Sequence, residues 1–273
     1  MEPSASSTPW QPITFGGVAR FARAPFMRLF LVQFIAALLV AASVVCFLAV
    51  AWFPVAQTAI AHLPEKAALR RGQLEWAGPS PSRLAEATFL SIVVDVENGR
   101  QIGQIADVRL ELRRSGFKIG SLFGQVAVDY PDDWTVVLNH AVADSWWGAW
   151  RPFLLASAGA GVVAGMMGAW LLLATIYSLP LRLVAFWCDR QVAWSGCWRV
   201  AGAAQVPPAL LMSGAIFLYA FNRLDLVGLL FAWLLHIVIG WIYLGLAPTR
   251  LPPLAGRLRR RENPFGEGKK KNR

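Results

Sequence analysis

MRLFLVQFIAALLVAASVVCFLAVAWF, residues 27–53, contains no Asp, Glu or Lys, and its one Arg sits at the second position. About 20 residues at 1.5 Å each cross the hydrocarbon of a bilayer, so the run reads as a membrane-spanning helix. Three further runs free of Asp, Glu, Lys and Arg follow at 152–177, 201–221 and 226–246. The fold class that results is a mainly α membrane protein: four transmembrane helices, with a small extracytoplasmic α+β domain at 54–151 between helices 1 and 2.

Orientation follows from the bases that flank the spans, because cytoplasmic loops retain Lys and Arg. Segment 1–26 with Arg28 just beyond it, the link 178–200 and the tail 247–273 together hold fifteen bases against four acids, whereas the rest of the chain has eleven bases against twelve acids. An even number of crossings puts the three basic segments on one side. Both termini are therefore expected in the cytoplasm of a bacterium, with the protein a multi-pass component of its cytoplasmic (inner) membrane. The sequence pI near 10.3 then records insertion; no basic face interleaved with stacking aromatics points to nucleic acid. The basic tail is expected to be disordered and to meet anionic lipid headgroups.

With 56% hydrophobic residues and a mean hydropathy of +0.47, the composition lies well above that of ordinary soluble domains. Ala59-Ile60-Ala61 resembles a signal-peptidase site, but the preceding apolar run exceeds a signal h-region, so an uncleaved signal-anchor is expected. Cys46 lies inside the first span, while Cys188 and Cys197 lie on the reducing side, so no disulfide framework is expected. Nor is a zinc pair: the spacing of Cys188 and Cys197 is too wide for clustered ligands and no His is near.

The spans differ in character. Gln33 is the one strongly polar residue of the first, and the preceding Phe15-to-Pro25 stretch mixes Phe with Arg, as a segment lying on the bilayer surface would. In the second, Gly161, Gly165 and Gly168 form a small-residue face of the kind that lets helices approach closely. Packing against another helix of this chain is the expectation, with self-association as the alternative. Leu181 to Trp198 mixes tryptophans with arginines and reads as an interfacial helix, or as an extension of helix 2 kinked at Pro180. In the third span, Gln205 precedes Pro207-Pro208, which remove two backbone donors and bend the helix. His236, near the middle of the fourth, is an ionisable group in a costly place; a neutral ring hydrogen-bonded to another helix is expected.

Between the first two spans the pattern becomes strand-like. Gln57 to Arg70 can continue the first helix; Gly72 to Trp76 ends at the breakers Gly78-Pro79-Ser80-Pro81; and Phe89 to Val96 reads as a buried strand closed by an Asn98-Gly99 turn. Val108 to Arg113 and Phe117 to Ile119 alternate strictly about Gly116 as a hairpin, and Gln125–Tyr130 and Trp134–Leu138 add two strands. Asp129, Asp132 and Asp133 lack the glycine and terminal glutamate of a calcium loop. His62 and His140 come with no recognisable activated nucleophile. Trp146, Trp147 and Trp150 stand where the chain re-enters the bilayer, as interfacial anchors do.

Leu63-Pro64, Arg71-Gly72-Gln73-Leu74 and Ile92-Val93-Val94-Asp95, with Trp198-Arg199-Val200 through Pro207-Pro208, resemble an uncharacterised bacterial family of polytopic membrane proteins sometimes labelled as maltodextrin-utilisation proteins. The last stretch is also similar to Yip-type helical domains. The resemblance implies no catalytic residue. No catalytic, cofactor or metal site is expected, and the protein reads as a non-enzymatic binding, scaffold or accessory protein whose outer domain binds a protein partner, an envelope component or a small ligand. The alternative is a transporter or channel component using Gln205, Pro207, Pro208 and His236.

Overall fold

The first apolar run forms one helical column longer than the bilayer needs. A computed structural model of the protein describes residues 11–97 and 106–253. In it, α2 (Phe26–Phe47) passes through a π turn at Leu48–Trp52 into α3 (Phe53–Ala61), and Pro54, which has no N–H to give, follows directly on the turn where the ladder is already shifted. Among the described residues four helical stretches are long and apolar enough to cross a membrane: Phe26–Ala61, His140–Trp187, Trp194–Ala220 and Leu226–Arg250. The second is α4 (His140–Trp187), the third comprises α5 (Trp194–Ala203) and α6 (Val206–Ala220), and the fourth is α7 (Leu226–Leu246) with a closing 3-10 turn.

The chain divides into two units, one drawn from Met1–Ala41, Gly161–Ala215 and Gly228–Arg273, the other from Ala42–Ala160 and Ile216–Val227. In the first, the short helix α1 (Phe15–Arg20) and the 3-10 turn after it bury Val18, Ala19 and Phe21 with Leu29 of α2, Leu181 and Ala185 of α4, and Cys197 and Val200 of α5. The Phe15-to-Pro25 segment thus turns its apolar face to protein. Leu181 and Ala185 also explain why α4 runs through Pro180 to Trp187: their burial offsets the lost proline donor. Extension of helix 2 is therefore what occupies 181–187, and a separate helix starts only at Trp194. A second cluster joins Ala36, Ala37 and Val40 of α2 to Trp170 of α4 and Val206 and Ala209 of α6.

The other unit carries two sheets. One has the order β2 (Gln73–Trp76), β1 (Ala67–Arg70), β8 (Thr135–Val137); the other runs β3 (Ser82–Glu86), β4 (Leu90–Val94), β5 (Val108–Leu112), β6 (Gly116–Ser121), β7 (Gly124–Asp129). Among the described strands only β4 and β5 pair in parallel. As the Phe89 to Val96 pattern predicts, every residue of β4 is buried. The Asn98-Gly99 turn lies outside the described residues. Val55 and Ala59 of α3 pack with Leu69, Leu74, Leu84, Ile92 and Val94 to form the domain core. Here the helix expected over Gln57–Arg70 stops at Ala61: Pro64 disfavours helical backbone at Leu63, and Ala67–Arg70 pairs with both β2 and β8 instead.

This unit is pinned at several points. The Tyr219 hydroxyl hydrogen-bonds Asp107 Oδ2 at 2.5 Å, and its ring joins Phe47 and Phe89 with centroids 5.3 and 4.7 Å away. Trp147 packs edge-on against Phe53 at 4.8 Å, which explains why α4 begins at His140, well before the apolar run. Trp147 is thus a core residue of this unit.

Candidate functional site

Two proline rings at adjacent positions cannot extend an α-helix, yet they suit its first turn, where N–H groups lack intrahelical partners. The third span accordingly breaks at Ala204-Gln205, and Pro207 and Pro208 lie in the opening turn of α6. Breaks of this kind leave carbonyls needing donors. Gln33 of α2, only 2% exposed, supplies one, its Nε2 donating to the Gly202 carbonyl at 3.2 Å. Ser213 of α6 similarly donates to the Leu39 carbonyl at 3.1 Å.

Gln205 and Pro208 come together against α7. A Cβ placed on Gly240 would lie 3.8 Å from Pro208 Cγ and 3.9 Å from Gln205 Oε1, ordinary contact distances, so α7 packs beside the break at this position. Gln205 Nε2 is buried and has no hydrogen-bond partner among the described residues. His236, one turn before Gly240, instead bonds within its own helix: Nδ1 faces the Trp233 carbonyl, which only accepts, so Nδ1 carries the proton. The expected bond to another helix is replaced by this local one, because position i−3 lies on the same helix face.

The glycines of α4 also differ from expectation. Nothing lies within 4 Å of a Cβ built on Gly161, Gly165 or Gly168, so among the described residues no helix of this chain packs there. The close approach is at Gly159, where Val45 Cγ2 would be 3.2 Å away. Bulky Met166, Met167 and Trp170 face the neighbouring helices, and the small residues lie on the opposite, exposed face.

In the strand unit the charges concentrate on β5. Glu111, 7% exposed, accepts from Arg109 at 2.8 Å and from Arg113 at 2.7 Å, two positions to either side on the same strand face. Burial pushes the Tyr130 phenol up to about 12.

Among the described residues, nothing covers one surface of this unit. β7 is an edge strand, paired only with β6, and all six of its residues are exposed. Val126 and Val128 project from it, and the two-residue loop into it is Leu122-Phe123, with Phe123 77% exposed. Gly124 closes that loop at φ 125°, a conformation side chains disfavour. The alternation that marks β7 is legible in sequence; its edge position is not, since that depends on which strand pairs beyond it. His62 and His140 bond backbone carbonyls, the latter Ile60 at 3.2 Å. No group of three His, Cys, Asp or Glu suited to a metal occurs among the described residues. Comparison of the chain with family models, curated proteins and solved structures returned no match.

Proposed function

We propose that this is a non-enzymatic, multi-pass protein of a bacterial cytoplasmic membrane, with both termini cytoplasmic, whose strand domain faces outward and recruits a protein partner along β7. The observation that carries this reading is the unprotected edge. Natural edge strands are blunted by lysine, proline or bulges, whereas Gly124–Asp129 has none of these and offers valines and free backbone groups along its length. An extended segment of another protein is the occupant that matches such an edge. A photo-crosslinker at Val126 in native membranes should give an adduct with a second protein, and Val126→Lys beside the probe-free wild type should abolish co-purification of that protein. Self-adducts alone, or none, would overturn the proposal.

On the cytoplasmic side, Arg20, Arg23 and Arg250 line a cleft of about 400 Å³ with Leu251 and Pro252, which supports contact with anionic headgroups at about 1 kcal/mol per base. The basic run beyond residue 253 lies outside the described residues.

A transporter component is the second reading, and the unpartnered Gln205 Nε2 at the break favours it. Against it stand the Gln33 bond, which closes the break, and the local bond of His236. His236→Leu should leave stability and phenotype unchanged; loss of a measurable flux would favour transport.

A further inference from the structure

The strand region is nearly neutral overall, yet one of its clefts is lined by three arginines. About 740 Å³ in volume, it is bounded by Arg70, Arg71, Gln73, Glu75 and Trp76 of the β1–β2 hairpin and by Arg114 of the β5–β6 turn, with Leu74 and Val96 as apolar wall. The volume falls in the range of small-molecule clefts. Leu74 N donates to the Arg114 carbonyl at 2.7 Å, fixing the arginine-bearing turn to the hairpin.

The cations here are available. Arg70 makes one long, exposed contact with Glu75 at 3.7 Å, which holds it weakly. The Arg71 and Arg114 guanidiniums have no ion pair among the described residues. The turn itself is unusual. Arg71 and Gly72 both have positive φ, 48° and 68°, as the two central residues of a type I′ hairpin require. Asn, Asp or Gly is usual at the first of these places, and here it is arginine. At Gly72 the positive φ strains any side chain, and a Cβ would also crowd the Tyr130 carbonyl at 3.2 Å, so the turn conformation and the placing of Arg71 go together.

Guanidinium forks match phosphate and carboxylate oxygens alike. Three of them, set against Glu75 in the lining and Asp132 beside the turn, offer more donors than a single carboxylate can accept and match the three terminal oxygens of a phosphate monoester. The Trp76 indole N–H is already spent on the Pro79 carbonyl at 3.1 Å, so what Trp76 offers a ligand is ring surface. We propose that this cleft binds a phosphate monoester, its head among Arg70, Arg71 and Arg114 and its remainder along Trp76.

The test uses the full chain in nanodiscs of phosphatidylcholine, titrated with glycerol 3-phosphate at fixed ionic strength by calorimetry. Arg71→Ala and Arg114→Ala should each weaken binding about tenfold or more. Arg71→Lys should recover part of that loss, and Lys66→Ala, an exposed base outside the lining, should change nothing. Gluconate, a monocarboxylate, should bind more weakly than glycerol 3-phosphate; equal affinity would overturn the phosphate assignment. Wild type and the Arg71→Ala/Arg114→Ala double variant binding alike would overturn the site, and circular dichroism would show whether that variant is folded. Adding phosphatidate to the nanodiscs separates two sources of the same chemistry: competition with glycerol 3-phosphate supports a lipid headgroup, and undiminished binding supports a soluble ester.

Discussion

In the helical unit, Gln33 and Ser213 reach across to the carbonyls of Gly202 and Leu39, and both bonds are neutral. In the strand unit, Glu111 is equally buried but lies between Arg109 and Arg113, each within 2.8 Å. The same requirement, that a buried polar group have a partner, is thus met by amides and hydroxyls in one region and by full charges in the other. The difference follows from the cost of failure. A charge within a span costs about 2.5–3.5 kcal/mol on insertion scales even before it lacks a partner, so a neutral donor is the less expensive way to satisfy a carbonyl. Within a β domain, an ion pair can form because three groups two residues apart on one strand face converge without further folding.

The contrast can be broken by removing one partner at a time. Glu111→Ala leaves two partly buried guanidiniums without their acid and should destabilise the strand unit by about 3 kcal/mol. Thermal unfolding of the purified protein measures this; a change near zero would mean that solvent already screens the cluster. Gln33→Leu fits the apolar surroundings but leaves the Gly202 carbonyl with only the long bond from Gln205 N, 3.3 Å, at the helix break, for an expected loss of about 1 kcal/mol in detergent unfolding. No loss there would show that the break is satisfied in another way. Ser213→Ala should cost least, about 0.6 kcal/mol, the average for hydrogen bonds between membrane helices. A loss larger than that of Gln33→Leu would reverse the ranking and locate the critical helix contact in α6.

Much of this arrangement is legible in the chain. Runs without charge mark all four long helices, and strict alternation marks β5 to β7, because those patterns depend on local period alone. β1 is not legible: Ala67-Ala68-Leu69-Arg70 favours helix by composition, and only its pairing with strands on both sides makes it extended. β3, Ser82–Glu86, lacks β-branched residues and is held by the burial of Leu84 and Ala85. Helix ends escape the sequence for a related reason. A span signal stops where apolar residues stop, but α4 extends at both ends wherever its side chains find protein, at Trp147 and at Leu181.

For the candidate sites the pattern is similar. The sequence singles out Gln33, Gln205, Pro207, Pro208 and His236 by their rarity in apolar runs, but the pairing of Gln33 with Gly202 joins residues 169 positions apart, and no local period encodes it. The three arginines of the cleft come from a hairpin and from a turn more than forty residues later, so they resemble ordinary surface charges until the sheets bring them together.

The π turn at Leu48–Trp52 sets the phase of everything that follows in the first column. A π turn holds one residue more than the α turn it replaces, and one residue corresponds to about 100° of rotation. The wider turn takes up that residue at a smaller rotation per residue, so α3 keeps the phase that points Val55 and Ala59 at the sheet they cover. One residue inserted into the α turns of α3 ahead of Val55 has no such slack, and would turn Val55 and Ala59 by about 100° off the sheet.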